Sequence, residues 1–262
     1  GWLGDRGRAP EYGFAFSPPR LDFWHRYAPK VMAAKFQPST QRWLPVALDR
    51  DWLRAGRRGV ATVPLNGRVP RGQSLFPTPF YARLVSVSEP VTLLQGRDGG
   101  AFLKAPAPTT VTGELILDAP PRFEGFEGLA LNAPSVLLEH TVPSRELPDE
   151  ALDLVEGLRA DGDPLMTRAL AVRDFIRERY RYDPAYMEDP AVARWLTKVT
   201  RNKPNVHLAA LHAGADDRHL GAGVCYELGA LACELLRRAG VPSLVVTGWT
   251  WDRGQVADAD HM

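Results

Sequence analysis

Proline is the strongest constraint on this chain: 18 of its 23 prolines fall in residues 1–148 and 5 in residues 149–262. A proline inside a helix removes a backbone N–H and clashes with the preceding turn, at ~3 kcal/mol, so this uneven use marks a composition boundary. Short β-branched or aromatic runs there, among them Gly59–Leu65, Phe80–Ser88, Val91–Gln95 and Thr109–Leu117, are bounded by Pro, Gly, Asn or Asp and are predicted to be strands. Charge changes sign near the same place. Residues 1–140 carry 17 basic and 12 acidic groups (+5), and residues 141–262 carry 15 and 19 (−4). An α+β chain is expected, with a proline-rich β accessory domain over residues 1–140 and a second domain over residues 141–262. The accessory part shows no catalytic cluster; His25, Trp2, Trp24, Trp43 and Trp52 read as packing or surface residues.

With 32 Lys and Arg against 31 Asp and Glu, the net charge of +1 offers no global attraction for nucleic acid, and none is expected as a partner. No run approaches the ~20 apolar residues that span a bilayer. Residues 1–25 lack a basic segment followed by an apolar core. Membrane contact is therefore not expected from these 262 residues. Two cysteines, Cys225 and Cys233, lie eight positions apart on one predicted helix. That spacing separates their Cα atoms by ~12 Å, beyond the ~7 Å limit for a disulfide.

After residue 148 the apolar period becomes helical. Proline marks three starts: Pro148, followed by Leu152, Val155 and Leu158; Asp163-Pro164, followed by Leu165, Ala169, Val172 and Ile176; and Asp189-Pro190, followed by Val192, Trp195, Leu196 and Val199. A weaker helix spans Asn205 to about Leu211. The best-defined one runs from Cys225 to Ala239, with a stripe of Leu228, Leu231, Ala232, Leu235 and Leu236. It stops at Gly240 and Pro242, with Arg237 and Arg238 complementing the negative helix end. Ser243–Trp249 then reads as a strand.

Cys225 follows Gly221-Ala222-Gly223-Val224, which places it in the first turn of that helix, where N–H groups and the dipole favour a thiolate. The small residues before it suit a sharp turn and a close approach to the sulfur. Cys233 reads as a structural thiol on the apolar face. A nucleophilic thiol needs a base, and the candidates are His140, His207, His212, His219 and His261. Of these His261 is preferred, because a second strand after Trp249 could return it beside the helix; Asp258 and Asp260 read as loop residues. A zinc site using His207, His212, His219 and Cys225 is a minor alternative, its His-x4-His spacing being unusual for zinc. No metal or cofactor is expected.

The run Gly223-Val224-Cys225-Tyr226-Glu227-Leu228 through Leu235-Leu236-Arg237-Arg238-Ala239-Gly240-Val241-Pro242, then Val245-Val246-Thr247-Gly248-Trp249, resembles the core motif of the transglutaminase-like superfamily. Ala169–Tyr182 is similar to that family's preceding helix and its aromatic exit. The resemblance covers about residues 148–262 and implies a papain-like core with a Cys-His-Asp triad. Carried over position by position, it makes Cys225 the nucleophile and His261 the general base and acid. The family usually continues His-Ala-Trp and places an Asp or Asn on a further strand, whereas this sequence reads His261-Met262. The expectation is a core incomplete at its C-terminus, with the third residue beyond Met262 and this piece inactive by itself.

The implied chemistry is acyl transfer or amide hydrolysis through a Cys225 thioester, on a protein or peptide bearing a glutamine or amide group. The Cys225 amide and a side chain, Trp195 or a histidine within His207–His219, are the expected oxyanion donors. The competing reading is a non-catalytic scaffold that binds a partner protein. A looser likeness of Gly72–Val87 and Gly96–Ala101 to the region preceding the core in bacterial membrane-anchored members implies an envelope-facing protein; without such an anchor the expectation is cytoplasmic.

Overall fold

The computed structural model describes residues 15–16, 27–45, 59–76, 78–79, 81–95, 101–119, 127, 132–190, 193–194, 205–211, 221–252 and 255–261. Its strands are β1 (Ala15–Phe16), β2 (Tyr27–Gln37), β3 (Arg42–Pro45), β4 (Gly59–Val69), β5 (Gly72–Phe76), β6 (Ala82–Val87) and β7 (Thr92–Gln95). They continue with β8 (Ala101–Ala105), β9 (Thr109–Asp118), β10 (Tyr180–Tyr182), β11 (Gly221–Gly223), β12 (Val245–Asp252) and β13 (Gln255–His261). The helices are α1 (Asp149–Ala160), α2 (Leu165–Arg179), α3 (Val206–Leu211) and α4 (Cys225–Arg238). The chain forms two compact units, one of residues 1–31, 47–121 and 246–261, the other of residues 32–46, 122–245 and 262.

The first unit is built of strands. Its longest ladder is antiparallel, β4 on β9, running from Gly59↔Asp118 to Val69↔Thr109, with β6 on the other side of β9. β1 pairs with β4 and with β13, and β13 pairs with β12. A second sheet has the order β5-β8-β7. Alternation along β4 turns Val63, Leu65 and Val69 inward, onto a core that also holds Phe76, Leu84, Leu103, Leu115 and Leu117. At one end of this core Asp118 is fully buried and receives Nε and Nη2 of Arg83, each at 2.9 Å. All four predicted strand runs of the first part appear, at Gly59–Val69, Ala82–Val87, Thr92–Gln95 and Thr109–Asp118.

The second unit centres on α4. Pro148 and Pro164 do precede helices, but as N-caps rather than as first helical residues. Each is extended, and its carbonyl accepts the first helical N–H bonds, from Ala151 and Leu152 and from Arg168. Burial runs most of the way round α4: Glu227, Ala230, Leu231, Cys233, Glu234, Leu235, Arg237 and Arg238 are all buried, while Leu228, Ala232 and Leu236 of the expected stripe are half-buried. A single stripe underestimates a helix flanked on several sides by α1, α2 and α3.

The end of α4 follows the expected stop. Gly240 has φ +80°, its N–H bonds the Arg237 carbonyl, and the Val241 N–H bonds that of Leu236, the two bonds of a Schellman cap. Arg168 Nη1 reaches across from α2 to the Ala239 carbonyl at 2.8 Å. The strand after this stop begins at Val245, because the Ser243 N–H is engaged by the Leu137 carbonyl. The hairpin of β2 and β3 contributes the buried Trp43, and Arg237 lies over its indole at 5.7 Å from the centroid.

Candidate active site

Cys225 is the first residue of α4, directly after β11 and the extended Val224. β11 runs parallel to β10 through Tyr180↔Gly221, Arg181↔Ala222 and Tyr182↔Gly223. The small residues before the thiol therefore form a short buried strand, not a turn. Their smallness serves packing: a Cβ on Gly223 would lie 2.8 Å from Cβ of Glu227 and 2.9 Å from Cδ2 of Leu211. Cys225 is half-buried and Cys233 fully buried, and neither is in a disulfide. Burial pushes the Cys233 thiol up to about 12, as suits a structural role.

Beside Cys225 sits a polar cluster of which the sequence reading singled out only His207, and in other roles. Glu227, in the first turn of α4, is buried, and its Oε2 accepts the Val224 N–H at 3.0 Å. This is one half of a capping box, closing the N-cap amide from within the helix. Oε1 lies 3.4 Å from Nδ1 of His207. A carboxylate only accepts, so Nδ1 carries the proton. The Tyr186 hydroxyl also donates to Glu227. Burial pushes the Glu227 carboxyl up, but the bond and charge of His207 and the Tyr186 bond outweigh it and hold the group below its usual value. Burial, and then the Glu227 charge, drive the Tyr186 hydroxyl well above its ordinary value, with the Cys225 sulfur adding to the rise.

His207 is delivered by α3, the weak predicted helix, which starts one residue later than expected. Asn205 caps it, its Oδ1 accepting the N–H groups of His207 at 3.0 Å and Leu208 at 3.3 Å. Gln41, just before β3, accepts the Val206 N–H at 2.7 Å. The imidazole then stacks on Tyr226, centroids 6.4 Å apart and planes at 25°. A glutamate in the third helical position was the available signal for the cluster, whereas nothing around Tyr186 marks it in sequence.

His261 is the last residue of β13, its backbone opposite Gly248 of β12. It belongs to the first compact unit and Cys225 to the second; the His261 side chain lies outside the described residues. Asp258 and Asp260, read as loop residues, lie within β13. The ladder to β12 imposes extended backbone on a run of poor strand formers, the usual way tertiary pairing overrides propensity. His140 is exposed; what burial it has, and then the Arg238 charge, lower its basicity. Trp195, His212, His219 and His25 fall outside the described residues, as does most of the helix expected after Pro190. Among the described residues no three metal-ligating side chains converge, and no helix is long and apolar enough to cross a membrane.

A family model described as the transglutaminase-like superfamily matches residues 153–262. Two crystal structures of the periplasmic domain of TgpA from Pseudomonas aeruginosa are similar to the chain. One is 14% identical with a TM-score of 0.50, covering 96% of this chain and 81% of that one. The other, bound to ethylmercury, is 14% identical with a TM-score of 0.49, covering 98% and 84%. No curated protein matches. At such identity the likeness concerns the fold, a mixed one of helices and strands. The family model and the ordered motif from β10 through α4 to β12 agree: residues 153–262 match the transglutaminase-like superfamily.

Proposed function

We propose that the protein is a cysteine acyltransferase or amide hydrolase in which Cys225 is the nucleophile and His261 the general base and acid. The observation that carries this reading is the placement of a half-buried Cys225 as the first residue of α4, inside the region matched by the family model. A helix start favours the thiolate through its N–H groups and dipole.

The thiolate attacks the carbonyl carbon of a glutamine carboxamide or peptide, and the Cys225 amide takes up the oxyanion. The C–N bond breaks as the imidazolium gives its proton to the departing ammonia or amine, leaving an acyl-thioester on Cys225. Water or a second amine then attacks, loses a proton to the imidazole, and releases the acyl group with return of the thiolate. Water makes the protein a hydrolase; an amine makes it a crosslinker. The substrate class is a protein or peptide bearing an amide side chain. An extracytoplasmic setting is supported by the fold likeness to a periplasmic domain.

The test is ammonia release from a glutamine peptide, and amine incorporation into it, by the wild type and by Cys225→Ala, His261→Ala and Cys233→Ala. Turnover lost in the first two and retained in the third is the expected result. A folded protein inert towards amide, peptide and ester donors would leave a scaffold that binds a partner protein as the better reading.

A further inference from the structure

The cluster beside the thiol poses an electrostatic problem. Glu227 is a buried carboxylate two residues after Cys225, held in its charged form, and a like charge nearby opposes ionisation of a thiol. That the two share surroundings is visible at Tyr186, whose hydroxyl donates to Glu227 and also feels the Cys225 sulfur. Three donors converge on the carboxylate: the Val224 amide, the Tyr186 hydroxyl and Nδ1 of His207. Of these three donors, only the imidazole can carry a compensating positive charge. Of the titratable groups around the pair, Tyr186, from the short turn Tyr186–Glu188, donates to Glu227 and feels the Cys225 sulfur, and Tyr226 of α4 stacks on His207. Among the described residues no lysine or arginine is paired with Glu227. His207 is itself fixed, by the Asn205 cap behind it and the Tyr226 ring beneath it, yet keeps a 26% exposed side chain through which protons exchange with water.

Resting on the reading of Cys225 as nucleophile, we propose that His207 is a positioning residue: it holds Glu227 on the Val224 amide and supplies the positive charge that lets Cys225 ionise beside a buried carboxylate. The base that takes part in bond making remains His261. His207 acts through Glu227, and its influence on the sulfur vanishes when that carboxylate does.

The experiment follows carboxymethylation of Cys225 by iodoacetamide against pH in the whole chain, with Cys233 as the internal reference, for wild type, His207→Asn, Glu227→Gln and the double variant. In His207→Asn the midpoint of the rate profile moves up by about half a pH unit, about threefold less thiolate at neutral pH. The double variant behaves as Glu227→Gln alone, because the coupling runs through one carboxylate. An unmoved midpoint in His207→Asn, or a shift that persists once Glu227 is Gln, overturns the proposal. Should His207→Asn open the fold, Cys233 becomes reactive as well, and His207→Gln is read in its place: a raised midpoint with Cys233 still protected upholds the proposal and an unmoved one overturns it. Because alkylation needs no substrate, the two readings fail separately. A thiol that obeys this cycle yet transfers no acyl group removes the enzymatic reading alone, and one that turns over substrate indifferent to His207 and Glu227 removes this inference alone.

Discussion

Arg238 and Glu234, one turn apart on α4, meet at 2.6 Å with both side chains withdrawn from water. The second carboxylate oxygen accepts the Thr141 N–H and hydroxyl, each at 2.6 Å, and the guanidinium goes on to the Ser144 hydroxyl and the Val142 carbonyl. This pair fastens the segment before α1 to the helix that carries the thiol. Removing one partner strands a buried charge, so Glu234→Ala should lower stability by ~3–5 kcal/mol, read from urea unfolding. A loss below ~1 kcal/mol would show that water replaces the missing partner.

The two thiols should separate cleanly in the native protein. Iodoacetamide at neutral pH is expected to modify Cys225 and spare Cys233, whose thiol is buried and pushed up to about 12. Cys233→Ala should cost roughly 1 kcal/mol, the scale for deleting a small core group, and leave Cys225 alkylation unchanged. Equal modification of both residues by peptide mapping would refute this division.

Gly223→Ala forces a Cβ against the Glu227 side chain and Leu211. Overpacking of this kind costs ~1–3 kcal/mol, and here it also pushes at the carboxylate beside the thiol. The expected outcome is a lowered unfolding midpoint together with an altered pH profile of Cys225 alkylation. Destabilisation with the profile intact would show Leu211 alone giving way.

Glu227 also predicts an acid effect. Its folded-state carboxyl lies below the ordinary value of 4.5, so it contributes stability that is present above that value and is lost as the pH falls below it. The stability difference between wild type and Glu227→Gln should therefore narrow on acidification below about pH 4.5. Urea midpoints taken at neutral and acid pH measure it; a constant difference would mean that Glu227 titrates as it does in the unfolded chain.

What was legible in sequence was whatever local chemistry dictates. Cys225 at a helix start, the Gly240 stop and the four bounded strand runs all follow from neighbours a few residues apart. The cluster around Glu227 was not legible, since its donors come from Tyr186, His207 and Val224, and only the last is near in sequence. The buried arginines were seen as dipole partners at a helix end, but their main role is to satisfy distant carbonyls, as when Arg237 bonds those of Ala34, Glu139 and Ser243. Long-range polar pairing leaves no period in the sequence.

Because β10 and β11 run parallel, with Tyr180 beside Gly221 and Tyr182 beside Gly223, the chain that leaves β10 after Tyr182 crosses over to the opposite end of the ladder to enter β11. α3 lies on this connection, so changes in Val206–Leu211 are transmitted to the first turn of α4 through His207 and Glu227. The crossover thus makes one stretch of backbone deliver both His207 and the strand that sets Cys225 at the start of α4.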